Sequence, residues 1–203
     1  MTKKATAPSA TGPAGSLFEA KVAVYYMLTM IQEGEPRGLP GTKIDRIALQ
    51  QAAGGYPLDD IIIHAHDQRG IPATMEIQVK RSITFAPRDR EFGEVVRKQI
   101  APAISKPEFS SERYELAVAT NQATRAITNA YQEVLSQARR IESADTFFTR
   151  LTQPGSANSD MRTFATTLRQ NLTATSAASD DETIWRVLRR LQIHTYDFGA
   201  EGS

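Results

Sequence analysis

The chain has 203 residues, 40% of them hydrophobic and 7% aromatic, enough for one ordinary domain with a single core. It holds no cysteine, three histidines and a formal net charge of +1. Disulfides, thiolate metal sites and cysteine nucleophiles are therefore excluded, and any basic surface has to be local.

Residues 1–14 are small, polar and proline-bearing and read as a disordered leader. Ser16 then stands as an N-cap with Glu19 in capping-box spacing, opening an apolar helix to about Ile31. That stretch is shorter than the ~18 uninterrupted apolar residues of a membrane span, and it carries Glu19 and Lys21. No apolar signal segment follows Thr2-Lys3-Lys4, so a cytoplasmic protein without membrane contact is expected. The prolines and glycines of Glu33–Gly41 end the helix. Strands are predicted over 43–50, 58–65, 74–83 and 115–120, with turn chemistry at Ala53–Pro57 and Asp67–Gly70. Helices are predicted over 89–104, with Pro102 awkward near the end, and over 123–140, 144–152, 159–172 and 181–190. Residues 192–198 close as a strand. The outline is α/β, a central mixed sheet flanked by helices with a C-terminal helical part. It divides into a core of about 15–140 and an extension of about 141–198.

The predicted hairpin over 58–83 carries the chemistry. One strand bears Asp59-Asp60, and the next bears Glu76, Gln78 and Lys80 at period-two spacing on one face. A turn centred on Arg69 or Gly70 sets Asp60 opposite Gln78 or Lys80; a one-residue slip sets Asp59 there instead. Phosphodiester hydrolysis uses a divalent cation to neutralise phosphate and activate water, and Mg²⁺ or Mn²⁺ takes hard oxygen ligands. Asp60 can be the fixed ligand, Gln78 or Glu76 can complete the protein's share, and Lys80 can stabilise developing negative charge.

The pattern Asp60…Gln78-Val79-Lys80 resembles the PD-(D/E)xK nuclease superfamily in its QxK, Mrr-like variant. More narrowly, GSLFEAKVAVYYML, LDDIII and MEIQVKRS resemble the double-strand DNA endonuclease domain of bacterial anti-phage systems, both cyclic-nucleotide-signalled effectors and STAND-type NTPases. The resemblance spans about residues 15–140. It implies a restriction-endonuclease-like core, Mg²⁺ or Mn²⁺ as cofactor, double-stranded DNA as substrate, and a role as an N-terminal effector module. Assembly into a homo-oligomer would then come through a further domain. Gln78 stands where the general motif has an acid, so Glu76 or Glu19 would have to compensate. The resemblance also puts an acidic residue of the first helix beside the metal, a role open to Glu19 alongside its capping role.

Arg81, Arg88, Arg90, Arg97 and Lys98 follow the motif lysine and are candidate phosphate contacts, although Asp89, Glu91 and Glu94 interleave with them. Arg186, Arg189 and Arg190 beside Trp185 form a second basic cluster. His64 and His66 share a strand face, but no third metal ligand lies near them in sequence. A non-catalytic module that keeps the fold and binds nucleic acid or a partner protein is the alternative.

Overall fold

The computed structural model describes residues 12–111, 113–175 and 180–198. Helix α1 (Pro13–Ile31) begins with Pro13 behind an N-cap at Gly12 that makes no side-chain bond. Proline's fixed φ suits the first helical position, so the helix starts before Ser16. The expected Ser16–Glu19 capping box therefore does not form; both residues lie inside α1. Of the expected leader, residues 1–11 lie outside the described residues, and Pro13 and Ala14 belong to the helix.

Five strands make one sheet in the order β1 (Thr42–Leu49), β2 (Ile61–Asp67), β3 (Pro72–Val79), β4 (Arg113–Thr120) and β5 (Leu191–Thr195). The β1–β2 and β2–β3 pairs are antiparallel, while β3–β4 and β4–β5 are parallel. This is the expected mixed sheet. The β2–β3 turn closes on Asp67, whose carboxylate accepts the N–H groups of Arg69 (2.8 Å) and Ile71 (2.9 Å), with Gly70 at φ 77°.

Alternation divides the sheet between two cores. Phe18, Val22 and Tyr26 of α1 pack on Ile61, Ile63, Met75 and Ile77. Leu116 and Val118 face the other way, toward a helical layer. That layer holds α2 (Arg90–Val95), α3 (Ala101–Ile104), α5 (Gln132–Arg140), α6 (Ala144–Thr152), α7 (Ser159–Thr173) and α8 (Asp181–Arg190). A single turn, α4 (Glu108–Ser111), precedes β4 and has no counterpart in the sequence expectation. The C-terminal helices belong to the same core as the rest: Phe164 of α7 stacks on Phe92 and Tyr131, and α8 runs directly into β5.

The helix expected over 89–104 is interrupted. Between α2 and α3 the chain widens into a π-turn, Val96–Ile100, and Pro102 follows in the first turn of α3. A proline removes one helix donor and crowds the preceding turn, and a widened turn just upstream accommodates both effects. The segment 32–41 returns to the sheet, where Gly38 (φ 99°) lies so close to Met75, Gln192 and His194 that a Cβ would stand 2.6–2.9 Å from each of them. No helix among the described residues is long and apolar enough to cross a membrane.

Candidate active site

Ile61 pairs with Ile77 and Ile62 with Glu76, a register centred on Arg69. Extending it by one residue sets Asp60 opposite Gln78, the parity expected from the hairpin. Strand β2 begins at Ile61 rather than Leu58, yet the backbone keeps pairing just before it: Gln50 N–H donates to Asp60 O (3.1 Å) and Gln51 N–H to Asp59 O (2.8 Å). Asp60 Oδ2 accepts the Val79 N–H at 2.8 Å and the side-chain amide of Gln78. Asp59 is half-buried next to it. Strand β3 ends at Val79 because the chain turns there, with the Ile83 N–H donating to Lys80 O. Lys80 thus lies one residue past the strand, its N–H donating to Ala119 O (2.9 Å) and its side chain half-exposed.

Asp60 is 9% exposed, and burial pushes its carboxyl up to about 7. The Val79 N–H and the Lys80 charge oppose the rise, whereas Glu19 and Asp59 add to it. Glu19 therefore reaches the same electrostatic neighbourhood from α1. It is held by Gln50, whose side-chain amide donates to Glu19 Oε1 (2.5 Å) while its backbone N–H serves Asp60. Gln50 adopts φ 53°, an uncommon conformation for a residue with a Cβ. Its place between two candidate residues is not legible from a solvent-facing glutamine in sequence.

Glu76 shares the strand face but has other partners. It is fully buried and accepts from Lys106 Nζ (2.7 Å), the Leu58 N–H (3.0 Å) and the Tyr114 hydroxyl. Lys106 also lies 4.4 Å from the Tyr56 ring centre. Glu76 thus anchors the segment that leads into Asp59-Asp60.

Gln99, which sequence reasoning missed, sits on the π-turn and donates its amide N–H to Gln78 Oε1. Its own Oε1 is buried and has no hydrogen-bond partner. One extra residue in a helical turn re-aims every side chain after it, and only the π-turn could have revealed this position. The site is then a row of Gln99, Gln78 and Asp60, flanked by Glu19 and Lys80. Among the described residues no three His, Cys, Asp or Glu side chains converge as a metal cluster. The oxygens available come from two carboxylates and two amides.

Of the basic candidates, Arg90 and Lys98 both pair with Glu94, at 3.3 and 3.7 Å, and Arg97 donates to Asn171 Oδ1. Arg81 and Arg88 are exposed and form no ion pair with a described carboxylate. His64 lies 2.8 Å from Arg46 and His66 2.6 Å from Asp45 on the neighbouring strand, so each has its own partner. Arg186, Arg189 and Arg190 lie around a separate cleft, remote from Asp60. No protein-family model matches the chain, and no curated protein or solved structure matches it.

Proposed function

We propose that this chain is a metal-dependent double-stranded DNA endonuclease that hydrolyses phosphodiester bonds as a cytoplasmic effector of bacterial anti-phage defence. The observation that carries this reading is the gathering of Asp60, Gln78 and Lys80 at one strand end beside Glu19. The donor set fits Mg²⁺ or Mn²⁺, which takes one or two protein carboxylates and fills its remaining positions with water and phosphate oxygens. Asp60, Gln78 and Glu19 would hold it, and the unpartnered Oε1 of Gln99 shows that the amide row is not satisfied as it stands. Bound there, the cation would supply charge neutralisation and water activation.

The side chains have distinct tasks in this proposal. Asp60 has to give up its proton before it can act as a ligand. Gln78 presents its N–H₂ to Asp60. Turning both amides over would aim Gln78 Oε1 toward Asp60 and give Gln99 Oε1 the N–H partner it lacks. Gln99 is thus a positioning residue for Gln78. The Lys80 ammonium would stabilise charge building on the phosphate, and Arg81 and Arg88 would position the DNA backbone.

A second reading, a nuclease-fold module that binds nucleic acid or a partner protein without cutting, is favoured by one observation. Glu76, a candidate for the motif's missing acid, is already engaged by Lys106 and Tyr114. Titrating Mg²⁺ and Mn²⁺ against the chain with supercoiled plasmid separates the two readings. Endonuclease function requires metal-dependent nicking or linearisation that disappears in a folded Lys80→Ala variant. Cutting that survives in that variant, or no cutting with either metal, overturns it.

A further inference from the structure

At the other end of the sheet a cleft of about 480 Å³ opens between the start of β4, the end of α5 and one side of α8. Arg113 begins β4, whereas Ala119, the neighbour of Lys80, lies near its end; at ~3.3 Å per residue the cleft is about 20 Å from the candidate active site. Arg113, Arg139, Arg186, Arg189 and Arg190 line it. None of the five forms an ion pair with a carboxylate of the described residues.

Their orientations are fixed mostly by neutral acceptors. Arg139 donates to the carbonyls of Arg189 (3.0 Å) and Leu191 (2.5 Å), and Arg190 to that of Tyr114 (2.7 Å). Arg113 donates to Pro40 O (2.6 Å), and Arg186 to Ser110 Oγ (2.8 Å). Arg189 stacks 4.5 Å from the Trp185 ring centre. A guanidinium has five N–H donors, so each keeps several for a ligand. Capping the last carbonyls of α5 and α8 explains Arg139 and Arg189 alone. It does not explain why Arg113 and Arg186, from β4 and from earlier in α8, converge on the same concavity.

Charge and size define the ligand. The lining carries five guanidinium groups against two carboxylates, Glu115 in the wall and Glu182, which is exposed on α8, leaving a surplus of three positive charges. Glu115 already accepts from Gln192 Nε2 at 3.0 Å. A single carboxylate would leave most of the surplus unmet. Planar guanidinium forks match phosphate oxygens in pairs. We infer that this cleft binds a compact polyphosphate, the di- or triphosphate group of a nucleotide or its inorganic counterpart. The inference does not depend on the nuclease reading.

Trp185 is the only tryptophan in the chain and lines the cleft, so its fluorescence reports occupancy. The test titrates the intact chain, in EDTA and at low salt, with sodium tripolyphosphate and separately with ATP, following fluorescence and heat. Both ligands should saturate one site and compete with each other. Tighter binding of ATP identifies a nucleotide as the source, and equal affinity identifies the phosphate chain alone. Arg186→Gln and Arg189→Gln should each weaken binding about tenfold, Arg186→Gln with melting temperature retained. Glu182→Gln, a surface change that does not risk the fold, should tighten it about threefold by removing a repelling charge. Absence of saturable binding up to about 1 mM, affinity unchanged in all three variants, or displacement of tripolyphosphate by a short DNA duplex overturns the proposal.

Discussion

Asp60 holds its proton to about pH 7 because burial outweighs the Val79 N–H donor, and an unfolded aspartate loses it near 3.8. Between those values the folded chain binds more protons than the unfolded one, so this residue makes stability fall as pH rises from about 4 to 7. A shift from 3.8 to about 7 corresponds to roughly 4 kcal/mol at pH 8 as an upper figure. Asp60→Asn should therefore raise the melting temperature of the metal-free chain at pH 8, leave it nearly unchanged at pH 4, and abolish Mn²⁺ binding in calorimetry. In the unmodified chain, Mn²⁺ affinity should climb about tenfold per pH unit below 7 and level off above it. A flat affinity from pH 5 to 8 would remove Asp60 from the ligand set. Glu76→Gln should behave oppositely. It leaves the part-buried Lys106 without its carboxylate and should cost about 1–3 kcal/mol in urea unfolding. Any loss of metal binding in that variant should disappear once the folded fraction is taken into account.

Among the elements, the entry to α2 concentrates most in one residue. Asp89 caps Phe92 N–H (3.1 Å) and also accepts from Thr84 N–H (2.6 Å), Thr84 Oγ1 (2.9 Å) and Phe85 N–H (3.1 Å), where Phe85 sits at φ 60°. Burial alone would raise its carboxyl, but the donors of Thr84, Phe92 and Phe85 outweigh burial and hold it below the usual aspartate range. Its contribution is then present above about pH 4 and is lost as pH falls through the lower folded value. Asp89→Ala should cost about 1–2 kcal/mol at pH 7 and much less at pH 2, measured by denaturant unfolding at both. Elements with strong periodicity were legible in the sequence: the Ile61–Ile63 strand, the Asn158 and Asp180 helix starts, and the hairpin parity that put Asp60 opposite Gln78. What stayed hidden depends on other parts of the chain. Helical spacing gives no sign of the π-turn under Gln99, and the Lys106 partner that occupies Glu76 comes from a loop 30 residues away. Ser16 misled because a proline three residues earlier was the better helix start.

At the level of the whole molecule, α1 presents Leu17, Val24, Leu28 and Ile31 to solvent, each 46–73% exposed. If the candidate site cuts one strand, cutting both strands of a duplex calls for two sites related by a two-fold axis. Under the proposed function the isolated chain should mainly nick supercoiled plasmid. Fusion to a dimerising or tetramerising partner should raise the linear product by one to two orders of magnitude through effective concentration. Gel analysis of nicked against linear plasmid checks this, and concentration-independent linearisation by a monomer would count against it. The seat of α1 has a different consequence, one of timing. Tyr26 of α1 bonds to His194 of β5 (3.1 Å), 168 residues later in the chain, and to Tyr196 beyond it (3.0 Å). Burial drives His194 down to about 3 and keeps it neutral, with Nε2–H donating to Gln192 Oε1 (2.9 Å) and Nδ1 left to accept from Tyr26. The earliest described helix is thus fastened by the last strand. At a synthesis rate of about 5–20 residues per second, a growing chain carries Asp60, Gln78 and Lys80 for on the order of ten seconds before β5 exists. Throughout that interval Tyr26 has neither His194 nor Tyr196 to bond, so α1 rests on β1–β3 alone and, under the proposed function, a half-made copy carries an unfinished site.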